Sequence, residues 1–143
     1  MLQLSRMADY GMRLLAQLGK DKDARLSAPQ LAKLTDLGEA TVAKLLKQLH
    51  NAGLVKSVRG VKGGYQLNKC PHQMNVLEVI EAVDGKMALT KCADGQSICP
   101  HDETCVTRDA WQQLNSDIRQ TLSQKSVADM TGQTTPKTEE QPV

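Results

Sequence analysis

The 143 residues are 40% apolar, enough to core one compact domain or a small domain with an appended helix, and this excludes a fibrous or wholly disordered chain. The net charge of +2 hides an asymmetry: residues 1 to 67 carry 11 Lys and Arg against 5 Asp and Glu, and residues 68 to 143 carry 7 against 11. A positive front fits a polyanion partner, and with no Phe and only 2% aromatic residues, duplex DNA suits it better than a single strand stacked on aromatic rings.

The chain opens with charges at Arg6, Asp9 and Arg13, lacks the apolar core of a signal peptide and contains no run of about 20 apolar residues, so a cytoplasmic protein with no membrane contact is expected. Over residues 8 to 19, Tyr10, Leu14, Leu15 and Leu18 fall at helical spacing, and Gly19 is a plausible stop. Ser27 caps a second helix that has Pro29 in its first turn, Leu31, Ala32 and Leu34 as its apolar face, and an end near Thr35. A turn at Asp36 to Gly38 leads into a third amphipathic helix with Val42, Leu45, Leu46 and Leu49 on one side. LVKSVRG, VKGG and YQL then read as strand, turn and returning strand, with Gly63 and Gly64 supplying unusual dihedrals.

From Met74 a fourth helix carries Val76, Leu77, Val79, Ile80 and Val83 and closes near Gly85. Residues 86 to 105 lose all periodicity and hold three of the four cysteines, so this loop takes its order from something other than a packed core. Residues 106 to 124 place Trp111, Leu114, Ile118 and Leu122 on one narrow stripe of a long helix, which predicts burial against a symmetry mate. The organisation expected is mainly α: a winged helix-turn-helix domain at 1–85, a cysteine-rich cluster-binding loop at 86–105, a dimerisation helix at 106–130 and a polar, disordered tail at 131–143.

A short helix, a turn, a second helix with a polar face and a hairpin directly after it make a winged helix-turn-helix, whose second helix enters the major groove. On that helix Thr41, Lys44, Lys47 and Gln48 can meet base edges. Arg59 and Lys62 flank the wing turn, where Arg59 is suited to a minor groove or phosphates and the glycines, Gly63 among them, let the backbone approach closely. Lysines on a helix ordinarily form only a solvated face; here they coincide with the motif, the wing and the positive half of the chain.

Cys92, Cys99 and Cys105 have the spacing C-x6-C-x5-C, neither a C-x2-C zinc knuckle nor a redox C-x-x-C pair. Three thiolates on a flexible loop can wrap an iron-sulfur cluster, which usually takes four protein ligands. His101 is the local candidate for the fourth, with Cys70, Asp9, Asp102 and Glu103 as others. Zinc held by the three cysteines and His101 is an alternative, as are unligated thiols; Cys70, His50 and His72 read as ordinary surface residues. No Ser-His-Asp, paired-carboxylate or phosphate-loop arrangement stands out, so an enzyme is not expected.

LSRMADYGMRLL, AGLVKSVRGVKGGYQL, NVLEVIEAVDG and the cysteine triad before the Trp111 helix together resemble the IscR and NsrR family of winged-helix repressors over about residues 1 to 130, with the closest similarity to regulators of the SUF iron-sulfur assembly operon. The resemblance implies a homodimer with crossed long helices, a palindromic operator, and one 2Fe-2S or 4Fe-4S cluster per subunit on Cys92, Cys99 and Cys105. IscR-like members place a histidine three residues after the last cysteine, where this chain has Arg108. In NsrR-like members an aspartate from helix one of the other subunit completes the site, and Asp9 matches it. The first cysteine interval is one residue longer than is common in IscR, which leaves a nitric-oxide-sensing repressor of the same family as an alternative.

Overall fold

A computed structural model describes residues 2–95, 99–101 and 103–132. Six helices and one antiparallel strand pair follow in the order α1 (Arg6–Leu18), α2 (Ala28–Thr35), α3 (Glu39–Asn51), β1 (Val55–Val58), β2 (Gly64–Leu67), α4 (Val76–Asp84), α5 (Arg108–Ser123) and α6 (Val127–Met130). Short 3-10 turns at Pro71–Gln73 and Cys92–Asp94 interrupt the connections.

Local chemistry sets most helix starts. Ser5 accepts from the Ala8 amide to begin α1, two residues earlier than the periodicity alone suggests. Ser27 with Gln30 forms a reciprocal capping box on α2, and Asn75 with Glu78 does the same on α4. The turn between α2 and α3 draws its left-handed residue from Asp36 (φ 56°), while Gly38, the glycine of that turn, sits in extended geometry as the N-cap of α3.

The core is built from Leu14, Leu15 and Leu18 of α1, Leu31 and Ala32 of α2, Val42, Leu45, Leu46 and Leu49 of α3, and Val79 of α4. Leu34 does not join it and is exposed. The strands pair with Val55 opposite Leu67 and Ser57 opposite Tyr65. An isolated antiparallel bridge from Leu26 to Tyr65, with hydrogen bonds of 3.0 and 2.7 Å between their backbones, ties the wing to the segment before α2.

Two boundaries differ from expectation. The stretch 106–130 is not one helix: α5 ends at Ser123, and after a break α6 folds back so that Val127 and Ala128 are fully buried. Ser126 caps α6, and the backbones of Val76 and Lys125, and of Val127 and Met74, are joined at 2.8 Å. The unit cored by α1 to α4 therefore includes residues beyond the expected boundary at 85, because Val127 packs in the same cluster as Leu14 and Met74. Of the tail expected at 131–143, Thr131 and Gly132 close α6 and the remainder lies outside the described residues.

Candidate nucleic-acid interface and cysteine segment

Helix α3 is amphipathic, and its four buried aliphatics dictate which side chains remain outward. Lys44 and Lys47 are exposed and Thr41 is half-buried near the helix start. Gln48 is not among the outward residues: its side-chain amide donates to the Val83 carbonyl of α4 at 3.1 Å, and its buried Oε1 has no partner among the described residues. The expectation that Gln48 meets base edges is corrected by this engagement.

Arg59, Gly60, Val61 and Lys62 form the exposed wing tip. Gly63 has a structural duty in the turn: its amide donates to the Gly60 carbonyl at 2.9 Å, and a Cβ on it would lie 2.3 Å from the Val58 carbonyl oxygen. Gly64 adopts φ 150°, and a Cβ there would come within 2.7 Å of the Leu26 backbone. Gly63 thus closes the hairpin turn, and Gly64 lets β2 lie against residue 26. Between α3 and the wing lies an open cleft of about 370 Å³, lined by Ala43, Lys47, His50, Ser57 and Tyr65. Sequence reasoning placed no role on the last three, because the strand register that brings Ser57 and Tyr65 beside α3 is a tertiary fact.

The segment after α4 is fastened at its start. Arg119 of α5 donates both to the Glu81 carboxylate and, at 3.0 Å, to the Met87 carbonyl. Glu81 also accepts from the Met87 amide at 3.0 Å, and Asn115, the buried polar residue of α5, accepts from the Leu89 amide at 2.9 Å. Burial pushes the Glu81 carboxyl up, but the Arg119 hydrogen bond, the Met87 amide and the charges of Arg119 and Lys86 together hold it below its ordinary range. Asp129 is likewise lowered by backbone and side-chain hydrogen bonds from Ser126.

Beyond this anchor, Cys92, Cys99 and Cys105 are partly buried and Cys70 is exposed, and none of the four is in a disulfide among the described residues. The Cys92 thiol lies 3.0 Å from the Thr90 hydroxyl and the Cys105 thiol 3.5 Å from that of Thr107. Among the described residues no three His, Cys, Asp or Glu side chains are gathered closely enough to hold a metal ion. In donor chemistry the three thiols, on a segment with little regular structure, suit a thiolate-bound cluster. Asp9 is exposed on α1, ion-paired with Arg13 at 3.5 Å, and His101 and Glu103 are exposed on the cysteine segment. Asp102, a further candidate ligand, lies outside the described residues. On α5, Trp111 and Leu114 are 42% and 45% exposed. Among the described residues no helix is long and apolar enough to cross a membrane.

A family profile described as "Rrf2: Iron-dependent Transcriptional regulator" matches residues 4–133. The chain is 25% identical over 134 residues to the HTH-type transcriptional regulator CymR of Bacillus subtilis, covering 93% of this chain and 92% of that one. It is 37% identical over 87 residues to IscR of Vibrio campbellii, covering 61% and 51%. Among solved structures, that of B. subtilis CymR, titled the global cysteine regulator, superposes with a TM-score of 0.73 at 26% identity, covering 94% of this chain and all of that one. T. potens IscR gives a TM-score of 0.70 at 26% identity, covering 99% and 94%. With its winged helix and these relatives, the chain belongs to the Rrf2 family, and it is a DNA-binding transcriptional regulator and not an enzyme.

Proposed function

We propose that this regulator is a cytoplasmic homodimer that binds a palindromic duplex operator, represses iron-sulfur assembly genes, and is switched by an iron-sulfur cluster on Cys92, Cys99 and Cys105. The observation that carries the reading is the position of these thiols on the one segment that joins the α4 end of the winged body to α5. The iron-dependent description of the family and the likeness to IscR support it. When bound, a cluster would supply a link between thiolates that responds to oxidation and to small ligands.

The chain's own residues supply the rest. Lys44, with Thr41, faces outward from α3 for the major groove, and Arg59 and Lys62 at the wing tip suit a minor groove or phosphates. Trp111 and Leu114 present an apolar stripe suited to a second copy of α5. Glu81, Asn115 and Arg119 fix where the cysteine segment leaves the body, so a change in that segment bears directly on α4 and α5. Asp9, exposed on α1, is suited to complete the donor set of the opposite subunit, with His101 as the alternative within the segment.

The test is the visible spectrum, with iron and sulfide content, of protein purified without oxygen. Charge-transfer bands with stoichiometric iron and sulfide are expected, lost in each of Cys92→Ala, Cys99→Ala and Cys105→Ala and kept in Cys70→Ala. Full cluster retained by any of the three variants sinks the assignment. A colourless, zinc-containing protein makes the segment a structural staple and leaves the DNA reading intact.

A further inference from the structure

We propose that the cleft between α3 and the wing is a clamp for one backbone phosphate of duplex DNA, with Lys47 as its cation and His50, Ser57 and Tyr65 as further hydrogen-bond donors. The proposal rests on the DNA-binding function and assigns Lys47 to the sugar-phosphate backbone, leaving base edges to Lys44.

Geometry makes the distinction. At about 100° per residue, positions 43, 47 and 50 fall within about 60° of one another on the exposed face of α3; position 44 lies about 100° from 43 and about 120° from 50, beyond Lys47, and does not line the cleft. The arc of 43, 47 and 50 is the one the wing covers: Ala43, Lys47 and His50 form one wall of the cleft, and Ser57 and Tyr65, directly paired across β1 and β2, form the other. The small side chains of Ala43 and Ser57 leave the space open, about 370 Å³ of it. No carboxylate lines the cleft. Among the described residues, the Lys47 ammonium, the His50 ring, the Ser57 hydroxyl and the Tyr65 phenol are engaged in no hydrogen bond or ion pair. Unspent donors around one cation, with no acid present, are the chemistry of a phosphate oxygen. The wing wall is held in place by the Leu26 bridge and by Gly64, so the two walls keep their separation without a ligand. A base edge is a poor occupant, because a recognition helix presses its outermost residues into the groove while its edges meet the strands' backbones.

The experiment is fluorescence anisotropy of the full chain on a short mixed-sequence duplex, titrated with KCl, so that affinity is read without knowledge of the operator. Lys47→Ala is expected to lower affinity on every sequence tried and to take about 0.9 off the slope of log K against log salt for each clamp lost. Ser57→Asp, which puts a carboxylate into the cleft at an exposed position, is expected to weaken binding more than tenfold with an unchanged circular dichroism spectrum and melting temperature. Tyr65→Phe should weaken binding several-fold with the slope preserved. Lys56→Ala, a charge removed from the opposite face of β1, is the control and should leave the slope close to that of the wild type. An unchanged slope and affinity in Lys47→Ala overturns the clamp, as does a loss in Lys47→Ala confined to particular sequences. Wild-type protein that binds no duplex even at low salt would overturn the DNA-binding function itself, a separate outcome.

Discussion

At the scale of single residues, two side chains mark where composition and geometry part. Asp36 occupies the left-handed position of the turn between α2 and α3 although Gly38 stands two residues on. Asp tolerates that conformation because its short polar chain can bond locally, whereas a β-branched residue meets its own carbonyl. Asp36→Val is therefore expected to cost about 1–2 kcal/mol, read as a lower midpoint in urea unfolding; an unchanged midpoint would mean the turn has another way to close. Gln48 gives a sharper contrast. A base-reading glutamine lost to methionine would reduce operator affinity by a large factor. Because Gln48 instead donates to Val83 and leaves its Oε1 buried and unpaired, Gln48→Met should hold stability within about 1 kcal/mol and leave DNA affinity on any duplex unchanged. A marked affinity loss would put Gln48 back at the interface.

Among the elements, the contact between α4 and α5 carries the chemistry that responds to acid. Glu81 is held below its ordinary range by Arg119, so its contribution to stability is fully present above the unfolded carboxyl value and is lost as pH falls through the lower, folded one. Arg119→Met should accordingly destabilise by the order of 1 kcal/mol at neutral pH, with the gap to wild type closing in acid as Glu81 protonates. A gap independent of pH would show that Arg119 acts through its Met87 hydrogen bond and packing, and not through the Glu81 charge. The helices themselves were readable from the aliphatic spacing of Leu14, Leu45 and Val79 and from Ser27, since caps and periodicity are local properties. The Glu81–Arg119 pair was not, because 38 residues separate the partners and no spacing rule joins charges across that distance. For the same reason the helix-turn-helix and wing were legible as a motif, but the cleft that brings Ser57 and Tyr65 beside Lys47 was not.

For the whole molecule, α5 is the element whose Trp111 and Leu114 the single chain leaves exposed, while Leu122 packs on Ala8, Val76 and Ile80. Trp111→Asp together with Leu114→Asp should convert a dimer into monomers by sedimentation velocity, since buried aromatic anchors in such interfaces are each worth about 2 kcal/mol or more. Sedimentation unchanged from wild type would move the pairing surface elsewhere. The stripe was legible from its spacing of three and four, and its periodicity ends at residue 124, next to the observed end at Ser123; that the chain then returns to bury Val127 was not, because packing against Leu14 and Met74 is a long-range contact. That return of the chain has a meaning at the level of the gene. A regulator whose sensing half simply followed its DNA-binding half could be cut by a nonsense mutation into a repressor deaf to its signal. Here a stop codon anywhere between Cys105 and Lys125 also strips Val127 from the cluster it shares with Leu14 and Met74, and the buried Ala128 with it. Such alleles should behave as nulls for DNA binding, because the truncated chain lacks part of the core on which α1 and α3 pack.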